Sequence, residues 1–168
     1  MQIIPIFEPY LHAFKYPGEV KDEISRLFDC WTDPEWLRAY FLENNNLLEY
    51  ENMTLSEAVE QTMELADKLY DLLEQNQANL DTCFQHLKKT TITEKPLAKQ
   101  KAKKKWLRLY AIKIEPNYYI ITGGAIKQSL EMKDHELTQK ELAKLEQGKG
   151  WLYKNGVFDV DSFFELEW

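Results

Sequence analysis

Cysteine is scarce: Cys30 and Cys83 are the only two in 168 residues. Their spacing suits neither a disulfide framework nor a thiolate metal site, and they read as two buried thiols. His12, His86 and His135 are isolated in the same way and lack metal-ligand spacing. Glycine is limited to six residues. The one adjacent pair, Gly123-Gly124, is not followed by the Gly-Lys-Ser/Thr of a phosphate-cradling loop. No Gly-x-Ser-x-Gly elbow occurs either. No apolar run approaches the roughly 20 residues needed to span a bilayer. The amino end has no basic-then-apolar leader, so the expectation is a cytoplasmic protein with no membrane partner. Nothing in the chain calls for a metal or a cofactor.

What is present describes a globular domain. The hydrophobic fraction is 44% and the aromatic fraction 13%, enough for one core over residues 1–168. The net charge of −7 hides an asymmetry. From Lys88 to Arg108 there are nine Lys/Arg and one acid, Glu94, a local +8. The remainder holds 12 basic and 27 acidic residues, or −15. Such a basic patch can bind a polyanion even on an acidic body, because the counterions it displaces are local. It can equally be a solvated, lysine-rich linker.

In chain order, Gln2 to Phe7 reads as an edge strand holding Pro5. Glu8-Pro9 is a turn, and Tyr10 to Tyr16 alternates as a second strand. A helix is expected from Glu19, with Val20, Ile24, Leu27, Phe28 and Trp31 on one face. Asp33 caps another, with Pro34 at its first position, fraying at Asn44-Asn45-Asn46. Thr54-Leu55-Ser56-Glu57 has the form of a capping box and opens a long amphipathic helix to about Gln75. A shorter helix is expected over Asp81 to Lys88, with Cys83, Phe84 and Leu87 inward. Residues 90–105 lose periodicity and read as a basic linker. Gln128 to Leu137 reads as irregular or strand-like. Thr138-Gln139-Lys140-Glu141 is a second capping box, opening a helix weakened by Gly148 and Gly150 at roughly 1 kcal/mol each. Asn155-Gly156 is a turn. Residues 157–168 form an acidic-aromatic tail that either docks Phe163 and Trp168 on the core or covers the basic patch.

The organising stretch is Trp106 to Lys127. Leu107, Leu109 and Ala111 alternate with Arg108, Tyr110 and Ile112, the period of a strand. Glu115-Pro116-Asn117 is a turn signal. Tyr118 to Thr122 is β-branched and aromatic, and Gly123-Gly124 breaks it as a bulge or a close approach would. The expected fold class is therefore α+β, with a small antiparallel sheet of an N-terminal strand and this hairpin, packed with about five helices. The chemistry left open is metal-free cleavage of a phosphodiester. RNA carries its own nucleophile in the 2′-hydroxyl, and the protein must position it, move protons and neutralise the phosphorane. Arg108, Tyr110, Lys113, Tyr119 and Lys127 project from the two arms with suitable groups. Tyr110 and Tyr119 also suit plain cross-strand packing.

The segment R-L-Y-A-I-K-I-E-P-N-Y-Y-I-I-T-G-G-A-I-K, followed by a polar gap and T-Q-K-E-L-A-K-L, resembles the carboxyl half of RelE/HigB-type toxins. The resemblance covers about Trp106 to Leu145. It also extends to an uncharacterised, enlarged bacterial family with the same R-L-Y-A-I-K-I and I-T-G-G-A-I-K blocks. It implies a ribonuclease that cleaves mRNA on the ribosome and inhibits translation, neutralised by a helix-turn-helix antitoxin. By position it implies Arg108 as the phosphate-stabilising arginine, Lys127 as the terminal-strand lysine, and Tyr110 for base stacking or proton transfer. Lys99, Lys101, Lys103, Lys104, Lys105 and Lys113 would then hold RNA. Gln128 stands where the family often has a second lysine. The alternative is a non-enzymatic interaction module that binds an acidic protein or nucleic acid through the lysine-rich segment.

Overall fold

The computed structural model describes residues 1–87, 96–128 and 135–166, with 135–138 as backbone only. At its centre, β5 (Leu107–Glu115) and β6 (Tyr118–Ile126) form the expected antiparallel hairpin. Asn117 has φ +70°. With Pro116 before it, this is the combination a type II turn requires. Leu107, Leu109 and Ala111 enter one core, and Tyr110, Ile112 and Ile114 enter a second. The alternation read from the sequence therefore holds, with both faces covered as in a central strand. The register slips between Tyr110 and Ala111, beside Gly123-Gly124, so the glycines do mark a bulge.

The sheet is larger than a strand plus a hairpin. β1 (Gln2–Phe7) and β2 (Leu11–Lys15) pair antiparallel around Glu8-Pro9, and β2 lies parallel to β6. β4 (Ala98–Lys104) pairs with β5, and β3 (Gln85–His86) pairs with β4. The order is β1-β2-β6-β5-β4-β3, a mixed six-stranded sheet. One face carries α1 (Glu23–Trp31), α2 (Pro34–Glu43), α3 (Asn46–Tyr50) and α4 (Leu55–Gln75). The other carries α5 (His135–Lys154) and α6 (Val160–Phe164). The class is α+β. No described helix is long and apolar enough to cross a membrane.

Local chemistry explains both the agreements and the corrections. Asp33 caps α2 with Pro34 in its first turn, and Thr54 and Glu57 form the reciprocal box of α4, as their sequences require. α1 starts at Glu23 rather than Glu19, because Asp22 accepts the Ser25 N–H at 3.0 Å and caps it there. The helix expected over Asp81 to Lys88 is instead a 3-10 turn, Leu80–Thr82, followed by β3. The cause is Asp81, which accepts the Asn117 N–H at 3.0 Å and the Tyr119 hydroxyl at 2.6 Å, while its own N–H donates to Asn117 Oδ1. That clamp lays the segment along the β5–β6 turn, and Phe84 stacks on Tyr119 at 4.4 Å. Lys88 lies outside the described residues. The expected linker 90–105 is also corrected over its second half: Ala98–Lys104 is a strand, and residues 90–95 lie outside the described residues. Lysines alternating with Ala98, Gln100 and Ala102 leave a strand pattern whose inward side chains are small or polar, so hydrophobic periodicity does not reveal it. Thr138 lies inside α5, not at its start.

Gly148 and Gly150 differ in what surrounds them. A Cβ at Gly148 would stand 2.7 Å from Phe14 Cε2, so glycine there permits close helix–sheet packing. Nothing lies within 4 Å of a Cβ at Gly150. Gly150→Ala is expected to stabilise the fold by about 1 kcal/mol through helix propensity. Gly148→Ala is expected to destabilise it, despite the same propensity gain. Urea denaturation of the two variants checks the opposite signs.

His12, on β2, is buried with the Phe163 ring edge-on at 4.9 Å and the Phe164 ring at 6.2 Å. Burial lowers its pKa from 6.5 to about 4. Below about pH 6.5 the unfolded chain takes up a proton that the folded chain refuses, so stability falls as pH drops from about 6.5 to about 4. The full fall is about 3 kcal/mol at 1.36 kcal/mol per unit. His12→Phe, measured by urea denaturation at several pH values, should flatten that slope. An unchanged slope would show that another group is responsible.

Candidate functional site

The corner where β4 turns into β5 is built from Lys105 and Trp106. Lys105 takes φ +48°, and Trp106 drives its indole N–H onto Thr62 Oγ1 of α4 at 3.0 Å. The strand after it carries Arg108, whose guanidinium folds back over the turn and donates to the carbonyls of Lys105 and Leu107, the latter at 3.0 Å. At the end of β6 the Lys127 N–H donates to the Trp106 carbonyl at 2.7 Å, which brings the second arm to the same corner. Gln128 is buried. It accepts the Leu47 N–H at 3.2 Å and donates to the Tyr40 hydroxyl at 3.0 Å, tying α2 and α3 to the strand end. Where the toxin family often has a second lysine, this chain has a structural strut.

These contacts leave an open cavity of about 350 Å³, lined by Leu47, Tyr50, Glu51, Lys105, Trp106, Arg108, Lys127 and Gln128. Arg108 is 9% exposed, and among the described residues no carboxylate forms an ion pair with it. Burial pushes its pKa down, because the charged form loses water, while nearby Tyr110 acts in the opposite direction. Both of the guanidinium's bonds to carbonyls use one nitrogen, Nη1. Three cations and one acid on the walls make the groove an anion acceptor.

Comparison with protein families, with curated proteins and with solved structures finds no match to this chain. The likeness to RelE/HigB-type toxins therefore rests on the residues quoted above.

The sequence-derived site residues divide into groups. Arg108 and Lys127 meet in the groove, with Lys105 beside them. Tyr110 does not line it; it is buried in the core beneath α5 with Ile112 and Leu145. Lys113 lies five residues along the strand, roughly 17 Å away at the rise of a β-strand, where it is buried 3.4 Å from Asp81. Lys99 is ion-paired with Glu146 of α5. Lys101 is half-buried in register with Tyr110, whereas Lys103 and Lys105 are exposed and Lys104 half-exposed. Among the described lysines of the run, the exposed ones thus cluster at the turn end of β4. His86 accepts no metal-like neighbours: its Nδ1 meets Gln100 Nε2 at 2.9 Å. Among the described residues no cluster of His, Cys, Asp and Glu could hold a metal ion. Sequence reasoning missed Tyr50 and Glu51, because α3 lies where fraying is expected; the signal was the apolar pair Leu47-Leu48 after the asparagines.

Proposed function

We propose that this chain is a metal-free endoribonuclease of RelE/HigB toxin type, which cleaves mRNA, inhibits translation and is neutralised by a helix-turn-helix antitoxin. The observation that supports it most is Arg108, a nearly buried guanidinium with no carboxylate ion pair among the described residues, opening onto a groove with two lysines. Phosphate oxygens match its unused donors. In this reading the RNA 2′-oxygen attacks phosphorus, its proton passes to the Glu51 carboxylate, and Arg108 holds the phosphorane charge. The P–O5′ bond breaks and Lys127 donates a proton to O5′. The products are a 2′,3′-cyclic phosphate and a 5′-hydroxyl. Tyr50, 54% exposed, offers a ring face to a base. Lys103, Lys104 and Lys105 supply the approach. The alternative, a non-enzymatic module that binds an acidic protein or nucleic acid through the lysine-rich segment, is less favoured because Lys99 of that segment is ion-paired within the fold.

Inducible expression in a bacterial host tests the reading. Amino-acid incorporation into protein should stop within minutes of induction, ahead of RNA and DNA synthesis. Unaltered incorporation at high expression of soluble protein would refute it.

A further inference from the structure

Tyr50 and Glu51 reach the Arg108 groove from α3, a helix of five residues. So short a helix has little stability of its own, because nearly all of its backbone groups are terminal. Its two ends are closed in different ways. At the C-terminal end the backbone closes itself. Asn52 takes φ +49°, its N–H donates to the Glu49 carbonyl at 3.3 Å, and the Met53 N–H donates to the Leu48 carbonyl at 3.0 Å. Those are the two bonds of a Schellman motif. At the other end the Asn45 side chain makes no capping bond among the described residues. A cap normally satisfies the N–H of the second or third helical residue. Here the second is Leu47, and its N–H donates to Gln128 Oε1 at 3.2 Å, across 81 positions of sequence. Gln128 is 2% exposed, and its Nε2 donates to the Tyr40 hydroxyl at 3.0 Å, so the amide is held at both of its ends.

One residue joins this cap to the groove. The Leu47 N–H is held by Gln128, and the Leu47 carbonyl accepts the Glu51 N–H at 2.9 Å. The Leu47 side chain, 2% exposed, anchors α3 in the core. Apolar burial is non-directional, so that anchor alone leaves the helix free to turn about it. A hydrogen bond has a preferred direction and removes that freedom. Gln128 also follows Lys127 directly, so one dipeptide carries the groove's ammonium and holds the helix that ends at Glu51. We propose that Gln128 is a positioning residue of this site: by capping α3 from outside, it sets where the Glu51 carboxylate stands relative to Arg108 and Lys127. The role rests on the reading of the groove as a ribonuclease centre with Glu51 as proton acceptor. A reacting group misplaced by about 1 Å can cost on the order of 10²-fold in rate.

Cleavage of a short single-stranded RNA by the full chain, followed across pH, tests the role with three variants: Gln128→Met, Glu51→Gln and the two combined. Methionine keeps the length of the side chain and removes its acceptor. Gln128→Met should lower kcat by at least about tenfold. It should also flatten the rise of kcat with pH that a carboxylate proton acceptor gives, as Glu51→Gln does. The combined variant should fall within about twofold of Glu51→Gln alone, because Gln128 acts through Glu51, whereas a merely structural role would multiply the two losses. Amide hydrogen exchange without RNA reads the same bond directly. In Gln128→Met, exchange at residues 45–53 should quicken by about tenfold more than any change in β5 and β6. RNA left intact by the unmodified chain would overturn the ribonuclease reading and this role with it. Full cleavage by Gln128→Met, multiplied losses in the combined variant, or exchange quickened no more at 45–53 than in β5 and β6 would overturn the positioning role alone.

Discussion

Replacing Arg108 and Lys127 together by alanine is expected to lower RNA cleavage by at least about 10²-fold, the cost of removing preorganised charge from a developing oxyanion. The single variants should each approach that loss, because groups that act on one transition state are not additive. Arg108→Lys should recover little. A lysine keeps the charge but not the planar fork, and cannot at once hold the turn carbonyls and grip a phosphate. Stability needs separate measurement. Arg108 donates to the Lys105 and Leu107 carbonyls, so Arg108→Ala also costs about 1–3 kcal/mol of folding energy. The half-buried Lys127 anchors its strand through its backbone N–H, so Lys127→Ala should fold with a nearly unchanged Tm. Cleavage retained by a folded Lys127→Ala protein would remove that lysine from the chemistry.

Phe163→Ala is expected to destabilise the protein by about 3–5 kcal/mol, the usual cost of emptying a fully enclosed aromatic site. Phe163 is fully buried on α6, edge-on to His12 and in the core beneath α5 with Phe14 and Ile120. Asp159 caps its helix by accepting the Ser162 N–H at 2.8 Å, and the Val160 N–H donates to Glu115 at the far end of β5. The acidic-aromatic segment thus docks on the core through Val157 and Phe163, and Trp168 lies outside the described residues. Deleting residues 157–168 should give insoluble or unfolded chain. A soluble truncated protein with new RNA binding would instead favour the cover. Chemical denaturation of Phe163→Ala beside Phe164→Ala checks the first point, since Phe164 is exposed and should cost far less.

The hairpin was legible because its two signals are local: period-two alternation along β5 and turn chemistry at Pro116-Asn117. The caps at Asp33 and Thr54 were legible for the same reason. The misread elements are those fixed by distant partners. Asp81 reads as a helix residue until Asn117 and Tyr119 are seen to hold it. β4 reads as a linker because its inward residues are Ala98, Gln100 and Ala102, which leave no hydrophobic stripe. Glu141 reads as a capping residue until Gly123 makes room for its carboxyl. The candidate site was half legible. Arg108 and Lys127 came from the arms of one hairpin, whose pairing fixes their ends together. Tyr110 shares the parity of Arg108, but parity does not say which part of a face is covered by a helix. Tyr50 ends α3 and Glu51 caps it, and a helix of only five residues is too short to leave a periodic signature.

The most direct test is to map the ends of RNA incubated with the purified protein, with and without ribosomes, beside the Lys127→Ala variant. Discrete new 5′-hydroxyl ends that form in the presence of a chelator and fade in the variant are expected. Intact RNA under all these conditions, or 5′-phosphate ends, would contradict the proposal that the Arg108 groove cleaves RNA through its 2′-hydroxyl.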